Sequence, residues 1–124
     1  MLGSSRAFSG FAVDDVEKAQ EFYAGTLGVR ATTGEMGLLT LHLAGDRPTI
    51  VYPKPDYVPA TYTILNFPVD DIERAVDELT ARGVEMLRYE GFEQDERGIA
   101  RGEEGPAIAW FTDPAGNILS VLEE

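Results

Sequence analysis

His42 is the only histidine in this chain of 124 residues, so it is the first candidate for proton transfer near neutral pH. It lies in the run Leu39-Thr40-Leu41-His42-Leu43, in which leucines alternate with two polar residues. If the leucines pack beneath a helix, His42 lies on the opposite face of a strand and is a candidate general base. A general base needs a hydrogen-bond partner that the sequence does not show, and an ordinary polar strand residue is the alternative.

A Ser-His-Asp triad of Ser120, His42 and an aspartate is formally possible. The spacing of a nucleophile elbow is absent around Ser120. The chain has no cysteine, which excludes disulfides, thiolate nucleophiles and cysteine-ligated zinc. Its single histidine cannot supply a multi-histidine metal site. Gly98, Gly102 and Gly105 match neither a phosphate-binding loop nor a dinucleotide fingerprint.

Acidic residues outnumber basic ones by 22 to 10, which gives a formal net charge of −12. The basic residues are dispersed, so the sequence predicts binding to neither nucleic acid nor an anionic membrane. No apolar run approaches the roughly 18 residues of a membrane span, and we expect a cytoplasmic protein. The acidity is typical of a solubility adaptation, and it also fits a cationic ligand. Asp95, Glu96, Glu103 and Glu104 could attract such a ligand, or form a solvated charge run.

An internal repeat decides the expected architecture. Residues 11–23, FAVDDVEKAQEFY, match residues 67–79, FPVDDIERAVDEL, at an offset of 56. After one deletion in the second copy, the match resumes with Gly28-Val29 against Gly83-Val84. Because the offset is close to half the chain length, the sequence predicts two copies of one module.

Each copy carries the signals of a helix that follows a strand. Asp14 and Asp70 are placed to cap the two helices, with Glu17 and Glu73 completing a capping box. Apolar residues follow at helical spacing, and each helix is predicted to end at a glycine. The apolar positions are Val16, Ala19, Phe22, Tyr23 and Leu27 in the first copy and Ile72, Ala75, Val76 and Leu79 in the second, and the glycines are Gly28 and Gly83.

Strand predictions complete a β-α-β-β-β module in each copy. The first module has strands at 7–13, 29–33, 38–44 and 48–52, and the second has strands at 61–69, 84–89, 107–112 and 117–122. We therefore expect an α+β fold with a single domain over 1–124, made of one module at 7–53, a linker at 53–60 and a second module at 61–122. A long polar loop, 91–105, is a candidate lid over a site.

Two motifs and the tandem modules together resemble the vicinal oxygen chelate superfamily. The motifs are Phe22-Tyr23-x-x-x-Leu27-Gly28 and the turn Thr112-Asp113-Pro114-Ala115-Gly116-Asn117. That superfamily includes glyoxalase I, bleomycin-resistance proteins, extradiol dioxygenases and fosfomycin-resistance enzymes. The resemblance covers nearly the whole chain and implies that each module curls its sheet into a half-barrel cup, with a ligand cavity formed by the two cups. Because one fold hosts many chemistries, the function must come from the site.

The resemblance also implies where a divalent metal would be held, and this chain departs from the family pattern there. The first-strand ligand positions fall on Phe8 and Ile64, and the glutamate position of D-P-x-G-N-x-x-E falls on Ser120. The fourth position lies on the strand 48–53, which contains no Asp, Glu or His. Hydrocarbon side chains and a lone hydroxyl do not hold a divalent ion. The sequence therefore predicts no metal and no cofactor.

Strand alternation selects the residues expected to share a cavity with these positions. The candidate ligand-binding residues are Phe8, His42, Tyr52, Tyr62, Ile64, Asn66, Trp110 and Ser120, and Tyr57 and Tyr89 are candidates for the rim. Trp110 is the only tryptophan and is expected to point inward, with ordinary core packing as the alternative.

The resulting prediction is a metal-independent protein that binds and sequesters a small molecule, in the manner that a resemblance to bleomycin-resistance proteins implies. We expect a small organic ligand, cationic or aromatic, and a homodimer. One alternative is a lyase, isomerase or dioxygenase-like enzyme that works through His42 and a tyrosine or through metal ligands elsewhere. The other is a structural dimer with a vestigial cavity.

Overall fold

A computed structural model of the chain describes residues 1–102 and 105–124 and divides the chain into two compact units, Met1–Pro59 and Ala60–Glu124. Each unit contains one small mixed sheet and helical structure, so the α+β class predicted from the sequence is confirmed. Among the described residues, no helix has the length and apolar character needed to cross a membrane.

The first unit is a four-stranded mixed sheet with one helical region. Its elements are a 3-10 turn Leu2–Ser4, β1 Ser9–Val13, α1 Val16–Gln20, a π-helical segment Glu21–Thr26, β2 Arg30–Thr33, β3 Leu39–Leu43 and β4 Arg47–Pro53. The strand order is β1-β4-β3-β2, with β1 parallel to β4 and the other pairs antiparallel. This order leaves β1 and β2 at the edges.

One face of the first sheet forms the core of this unit, because apolar residues occupy alternate strand positions. Leu39 and Leu41 of β3 are fully buried, and so is Val51 of β4. Tyr23 of the π-helical segment is also fully buried, with its ring centroid 5.9 Å from that of Phe11. The strand residues between these apolar positions point to the opposite face of the sheet.

The first helix differs from the continuous α-helix that the sequence predicts. After five α-helical residues the hydrogen bonds take a π pattern, in which the N–H of Leu27 donates to the carbonyl of Phe22 at 2.9 Å. The N–H of Val29 donates to the carbonyl of Tyr23 at 2.8 Å. A π segment inserts an extra residue into the turn and leaves little trace in helical periodicity. The predicted end at Gly28 is confirmed by its φ of 75°.

The second unit is a three-stranded mixed sheet with one helix. Its elements are β5 Thr63–Val69, α2 Ile72–Ala81, β6 Ile108–Thr112 and β7 Ile118–Glu123. The strand order is β5-β7-β6, with β5 parallel to β7. Ile72, Val76 and Leu79 of the predicted apolar stripe are buried, and they face the sheet residues Phe111 and Leu119, which are also buried. The helix therefore covers one face of this sheet.

The strand predicted at 84–89 is wrong, and the second sheet has three strands instead of four. Only Met86 pairs, in an isolated bridge with Phe111. The side chain of Gln94 accepts a hydrogen bond from the N–H of Tyr89 at 2.8 Å and donates one to the carbonyl of Leu87 at 2.9 Å. A side chain thus satisfies backbone groups that a further strand would have paired.

Each helix begins one residue later than the sequence predicts. Asp15 has an extended backbone and accepts hydrogen bonds from the amides of Glu17 and Lys18, at 3.0 and 3.2 Å. Asp71 takes the equivalent place in the second unit and accepts from the amide of Arg74 at 3.1 Å. The second aspartate of each Asp-Asp pair is therefore the N-cap, and the prediction for Asp14 and Asp70 was wrong.

Replacing the observed cap should destabilise the fold, and replacing its neighbour should not. We expect Asp71→Ala to lower the free energy of unfolding by about 1 kcal/mol, because one amide of the first turn loses its acceptor. The matched control Asp70→Ala should change it by less than about 0.5 kcal/mol, as an exposed substitution does. Urea denaturation measures both values. A larger loss for Asp70→Ala than for Asp71→Ala would contradict the assignment of the cap.

Candidate functional site

We call the face opposite the buried apolar layer of each sheet its helix-free face. On the second sheet, Asn66 of β5, Ser120 of β7 and Trp110 of β6 are register partners and form one row across this face. The hydroxyl of Ser120 is fully buried and donates a hydrogen bond to Oδ1 of Asn66 at 2.6 Å. Trp110 is half-buried. The row thus sets a fixed, uncharged polar pair beside the only indole of the chain.

A bulge in β5 changes the placement of two other candidates. Thr63 pairs with Ile118, and the next paired residue is Leu65, so Ile64 is an extra residue in the strand. Simple alternation from Ile64 therefore does not hold at this end of β5, where Thr63 takes the paired position. Tyr62 precedes the strand and is 70% exposed.

An aromatic cluster, formed by Tyr89, Phe92 and Trp110, extends this row. The ring centroids of Tyr89 and Phe92 lie 5.3 and 5.5 Å from that of Trp110, and 6.2 Å from each other. Tyr89 meets Trp110 edge to face, at an interplanar angle of 83°. Burial raises the pKa of the Tyr89 hydroxyl above its usual range, so the cluster is uncharged at neutral pH. Phe92 is 58% exposed, which leaves the cluster open to solvent.

Gln94 holds the segment that carries two of these three rings. Besides its contacts with Leu87 and Tyr89, its side-chain amide donates to the carbonyl of Gly98 at 2.8 Å. These three hydrogen bonds tie both ends of the loop to one side chain. The position of Phe92, between Tyr89 and Gln94, is therefore set by this amide.

Asp95 organises the next turn of the same loop. Its Oδ1 accepts hydrogen bonds from the amides of Arg97 and Ile99, at 2.9 and 3.0 Å, and its Oδ2 accepts one from Arg101. Burial alone would raise the pKa of the Asp95 carboxyl, but the amide of Ile99, the guanidinium of Arg101 and the amide of Arg97 together hold it below its usual value. The carboxylate is thus stabilised in its charged form.

Two arginines attach this loop to the outer surface of α2. Nε of Arg97 lies 2.9 Å from Oδ1 of Asp77, and Nη2 of Arg101 lies 2.9 Å from Oε1 of Glu73. All four side chains are substantially exposed, so each ion pair contributes little by itself. Their value is positional, because they hold the loop against the helix. Glu103 and Glu104, expected in the same acidic stretch, lie outside the described residues.

On the first sheet, the helix-free face carries His42, Thr32 and Tyr52. Oγ1 of Thr32 lies 2.8 Å from Nε2 of His42, in a hydrogen bond between β2 and β3. Tyr52 of β4 is 39% exposed. Phe8 precedes β1, which begins at Ser9, and its side chain is 66% exposed. Of the predicted candidates on this sheet, His42 makes this hydrogen bond, and its partner Thr32 was not predicted from the sequence.

Neither His42, the catalytic candidate, nor Ser120 has the partners that a catalytic triad needs. The Ser120 hydroxyl is shielded from solvent and engaged by Asn66, whereas a nucleophile needs an accessible oxygen and an adjacent base. The partner of His42 is the hydroxyl of Thr32, which lacks the charge of the carboxylate that orients a catalytic histidine in a triad.

The residues at the four family-implied ligand positions do not fit a divalent metal. Phe8 and Ile64 are hydrocarbon, Ser120 already donates its proton to Asn66, and β4 carries no carboxylate or imidazole. Within the described part of the chain, no group of three or more His, Asp or Glu side chains is arranged to hold a metal ion. The donor set at these positions is therefore unsuited to the metal chemistry of the superfamily.

Sequence reasoning missed two residues that shape this region. Phe92 lies in a loop without periodicity, and Gln94 acts through backbone groups that carry no sequence signature. The dense group of aromatic residues in the run Tyr89-Glu90-Gly91-Phe92 is a signal that could have suggested a cluster with Trp110.

The comparisons with known proteins agree with the observed fold. The family model described as Glyoxalase/Bleomycin resistance protein/Dioxygenase superfamily matches residues 7–121. A solved member of that superfamily from Sphaerobacter thermophilus DSM 20745 is 25% identical with a TM-score of 0.72, and the match covers 95% of this chain and 97% of that one. A search of curated proteins finds no match.

Two further solved structures are similar in fold. TnmS3, an antibiotic binding protein from Streptomyces sp. CB03234, is 24% identical with a TM-score of 0.67, and the match covers 94% of each chain. FosX, a fosfomycin resistance protein from Listeria monocytogenes, is 14% identical with a TM-score of 0.73, and the match covers 95% of this chain and 91% of that one.

Removing the Gln94 amide should release the aromatic cluster. We expect Gln94→Met to keep the fold, to lower the free energy of unfolding by about 1–3 kcal/mol and to shift the emission of Trp110 to longer wavelength, because partly buried backbone groups lose their partner. Urea denaturation and tryptophan fluorescence measure the two effects. The neighbouring, exposed Glu93→Gln is the control and should change neither. Unchanged emission in Gln94→Met would show that this amide does not position the cluster.

Acid should loosen the same loop through Asp95. Since its pKa is lowered in the folded chain, its stabilising contribution is present above the unfolded value of about 3.9 and is lost as the pH falls further, through the folded pKa. Protease sensitivity of residues 94–101 should therefore rise below about pH 4. Asp95→Asn should remove this pH dependence, and Asp46→Asn, in the first unit, should leave it intact. A transition centred above about pH 5 would contradict this assignment.

Proposed function

Because the chain belongs to the Glyoxalase/Bleomycin resistance protein/Dioxygenase superfamily, we propose that it binds and sequesters a small organic molecule without a metal ion. The single observation that carries this proposal is the solvent-exposed aromatic cluster beside the uncharged row of Asn66, Ser120 and Trp110 in the second unit. Antibiotic binding by TnmS3, a protein of the same fold, favours an antibiotic- or metabolite-like ligand.

The aromatic cluster has the chemistry of a binding surface for a planar ligand. Phe92 and Trp110 are incompletely buried, so apolar ring surface remains in contact with water. Covering that surface with a flat molecule is favourable by about 25 cal/mol for each Å² removed from water. Ring stacking adds about 0.5–1.5 kcal/mol for each aromatic pair. These contributions need neither a catalytic group nor an ion.

The row of Asn66, Ser120 and Trp110 offers a polar group that can orient a bound ligand. The amide of Asn66 is exposed, and its Oδ1 already accepts from Ser120, so its amide nitrogen remains a donor for a ligand carbonyl or hydroxyl. A few placed polar groups within an apolar surface are typical of small-molecule sites. The exposed carboxylates of Glu90 and Glu93 flank Phe92 in the chain and favour a ligand that carries a positive charge.

The donor set supports binding without metal. Superfamily metal chemistry needs several carboxylate or imidazole ligands, and the corresponding positions in this chain are Phe8, Ile64, Ser120 and the strand β4. Affinity in this proposal comes from the rings, and divalent ions should not alter it.

The test is a titration followed by Trp110 fluorescence, since this residue is the only tryptophan. Chelator-treated protein should show saturable quenching by planar aromatic compounds, with acridine and anthraquinone derivatives as the cationic and neutral probes. Adding Mg²⁺, Mn²⁺ or Zn²⁺ should leave the dissociation constant unchanged. Phe92→Ala should raise it about tenfold, which corresponds to about 1.4 kcal/mol, because one ring face is lost.

Val58→Ala is the matched control, because Val58 is also an exposed apolar residue, at 79%, but lies in the first unit. It should bind like the original protein. Binding that appears only after a divalent ion is added would overturn the proposal, and so would equal losses in Phe92→Ala and Val58→Ala. No quenching by any probe would also count against it.

A further inference from the structure

The negative charge of this chain is concentrated in its second unit. Residues 1–59 contain five basic and seven acidic residues, whereas residues 60–124 contain five basic and fifteen acidic residues. The net charges are thus −2 and −10. The first unit is nearly neutral and can offer a local positive surface that the total of −12 conceals.

The helix-free face of the first sheet carries no carboxylate. Register partners place nine strand residues on this face, and none of them is Asp or Glu. They are Gly10 and Ala12 of β1, Arg30 and Thr32 of β2, Thr40 and His42 of β3, and Pro48, Ile50 and Tyr52 of β4. The only charged side chain is a guanidinium, and the only other group that gains positive charge is an imidazole.

These two groups are neighbours. Arg30 lies directly opposite His42 in the antiparallel pair of β2 with β3, so their side chains leave the same face at adjacent positions. Thr32 lies two residues from Arg30 on the same edge strand, and its hydroxyl bonds Nε2 of His42 at 2.8 Å. A guanidinium, an imidazole and a hydroxyl thus occupy neighbouring register positions on one face, at the open edge of the sheet.

The guanidinium of Arg30 has no ion-pair partner among the described residues. It is also exposed, so it is free to take a ligand. By contrast, Arg74, Arg97 and Arg101 in the second unit all pair with carboxylates of that unit. Among the described residues, Arg30 thus lies beside His42 without a carboxylate partner.

We propose that Arg30 and His42 form a binding subsite for an oxyanion, the carboxylate or phosphate of a small molecule, with Thr32 as a positioning residue. The planar guanidinium offers paired N–H donors that match two oxygens of such a group. When the Thr32 hydroxyl donates to Nε2 of a neutral imidazole, the ring proton resides on Nδ1, which then donates to the anion. The aromatic cluster belongs to the other unit and shares no residue with this subsite.

Since His42 is the only histidine, its Cε1–H resonance reports on the site without assignment work. We would titrate the protein at constant pH and ionic strength with sodium acetate and, separately, with inorganic phosphate, using sodium chloride as the reference. The expected result is a saturable shift of this resonance with acetate, phosphate or both, and no saturable shift with chloride. The response of each probe distinguishes a carboxylate site from a phosphate site.

Two arginine variants distinguish binding at this subsite from a general effect of the protein's charge. Arg30→Gln should weaken oxyanion binding at least about tenfold, because the hydrogen bonds between the charged guanidinium and the anion are lost. Arg47→Gln is the matched control, because it removes the same charge from the same sheet. Arg47 is exposed and pairs with Leu43, so it lies on the opposite face from His42. It should bind as the original protein does.

The role of Thr32 is tested by rescue. Thr32→Val should perturb the His42 resonance in the free protein and weaken oxyanion binding several-fold, and Thr32→Ser should restore both. A linear, unsaturated response to all three salts would overturn the subsite, as would equal effects of Arg30→Gln and Arg47→Gln. Failure of this subsite can be distinguished from failure of the aromatic cluster to bind a ligand. The reason is that quenching of Trp110 by a neutral anthraquinone should be unchanged in Arg30→Gln.

Discussion

This structure depends on one constraint, the alternation of side chains along each strand. Every second residue must be apolar, because it lies in the layer that the helical region covers. Leu39, Leu41 and Val51 commit one face of the first sheet to the core, and Phe111 and Leu119 do the same in the second. The opposite faces then receive every second residue, whatever its chemistry. One face became a carboxylate-free surface with Arg30 and His42, and the other an uncharged row ending at Trp110.

The second unit adds a layer of control that the strands do not provide. The segment after α2 does not join the sheet as a full strand, because Gln94 satisfies its backbone groups and Asp95 fixes the turn that follows. This arrangement presents Phe92 and Tyr89 to Trp110. The proposed binding surface therefore depends on a few hydrogen bonds within one loop. Substitutions in this loop can change the surface without changing the core.

The sequence was sufficient for features that depend on periodicity or on motifs. The stripe at Ile72, Val76 and Leu79, the glycine ends of both helices and the superfamily were all predictable for this reason. The π segment, the bulge at Ile64, the true caps and the Gln94 hydrogen bonds were not. Each of these depends on one backbone or tertiary contact that leaves composition and spacing unchanged.

We propose that the aromatic surface of the second unit binds the ligand and that no metal takes part. Diffraction from crystals of chelator-treated protein, grown with a planar aromatic ligand that quenches Trp110, tests it most directly. We expect ligand density against Trp110 and Phe92, within hydrogen-bond reach of Asn66, and no ion in contact with the ligand. Ligand density elsewhere, or a ligand that appears only together with a coordinated divalent ion, would contradict it.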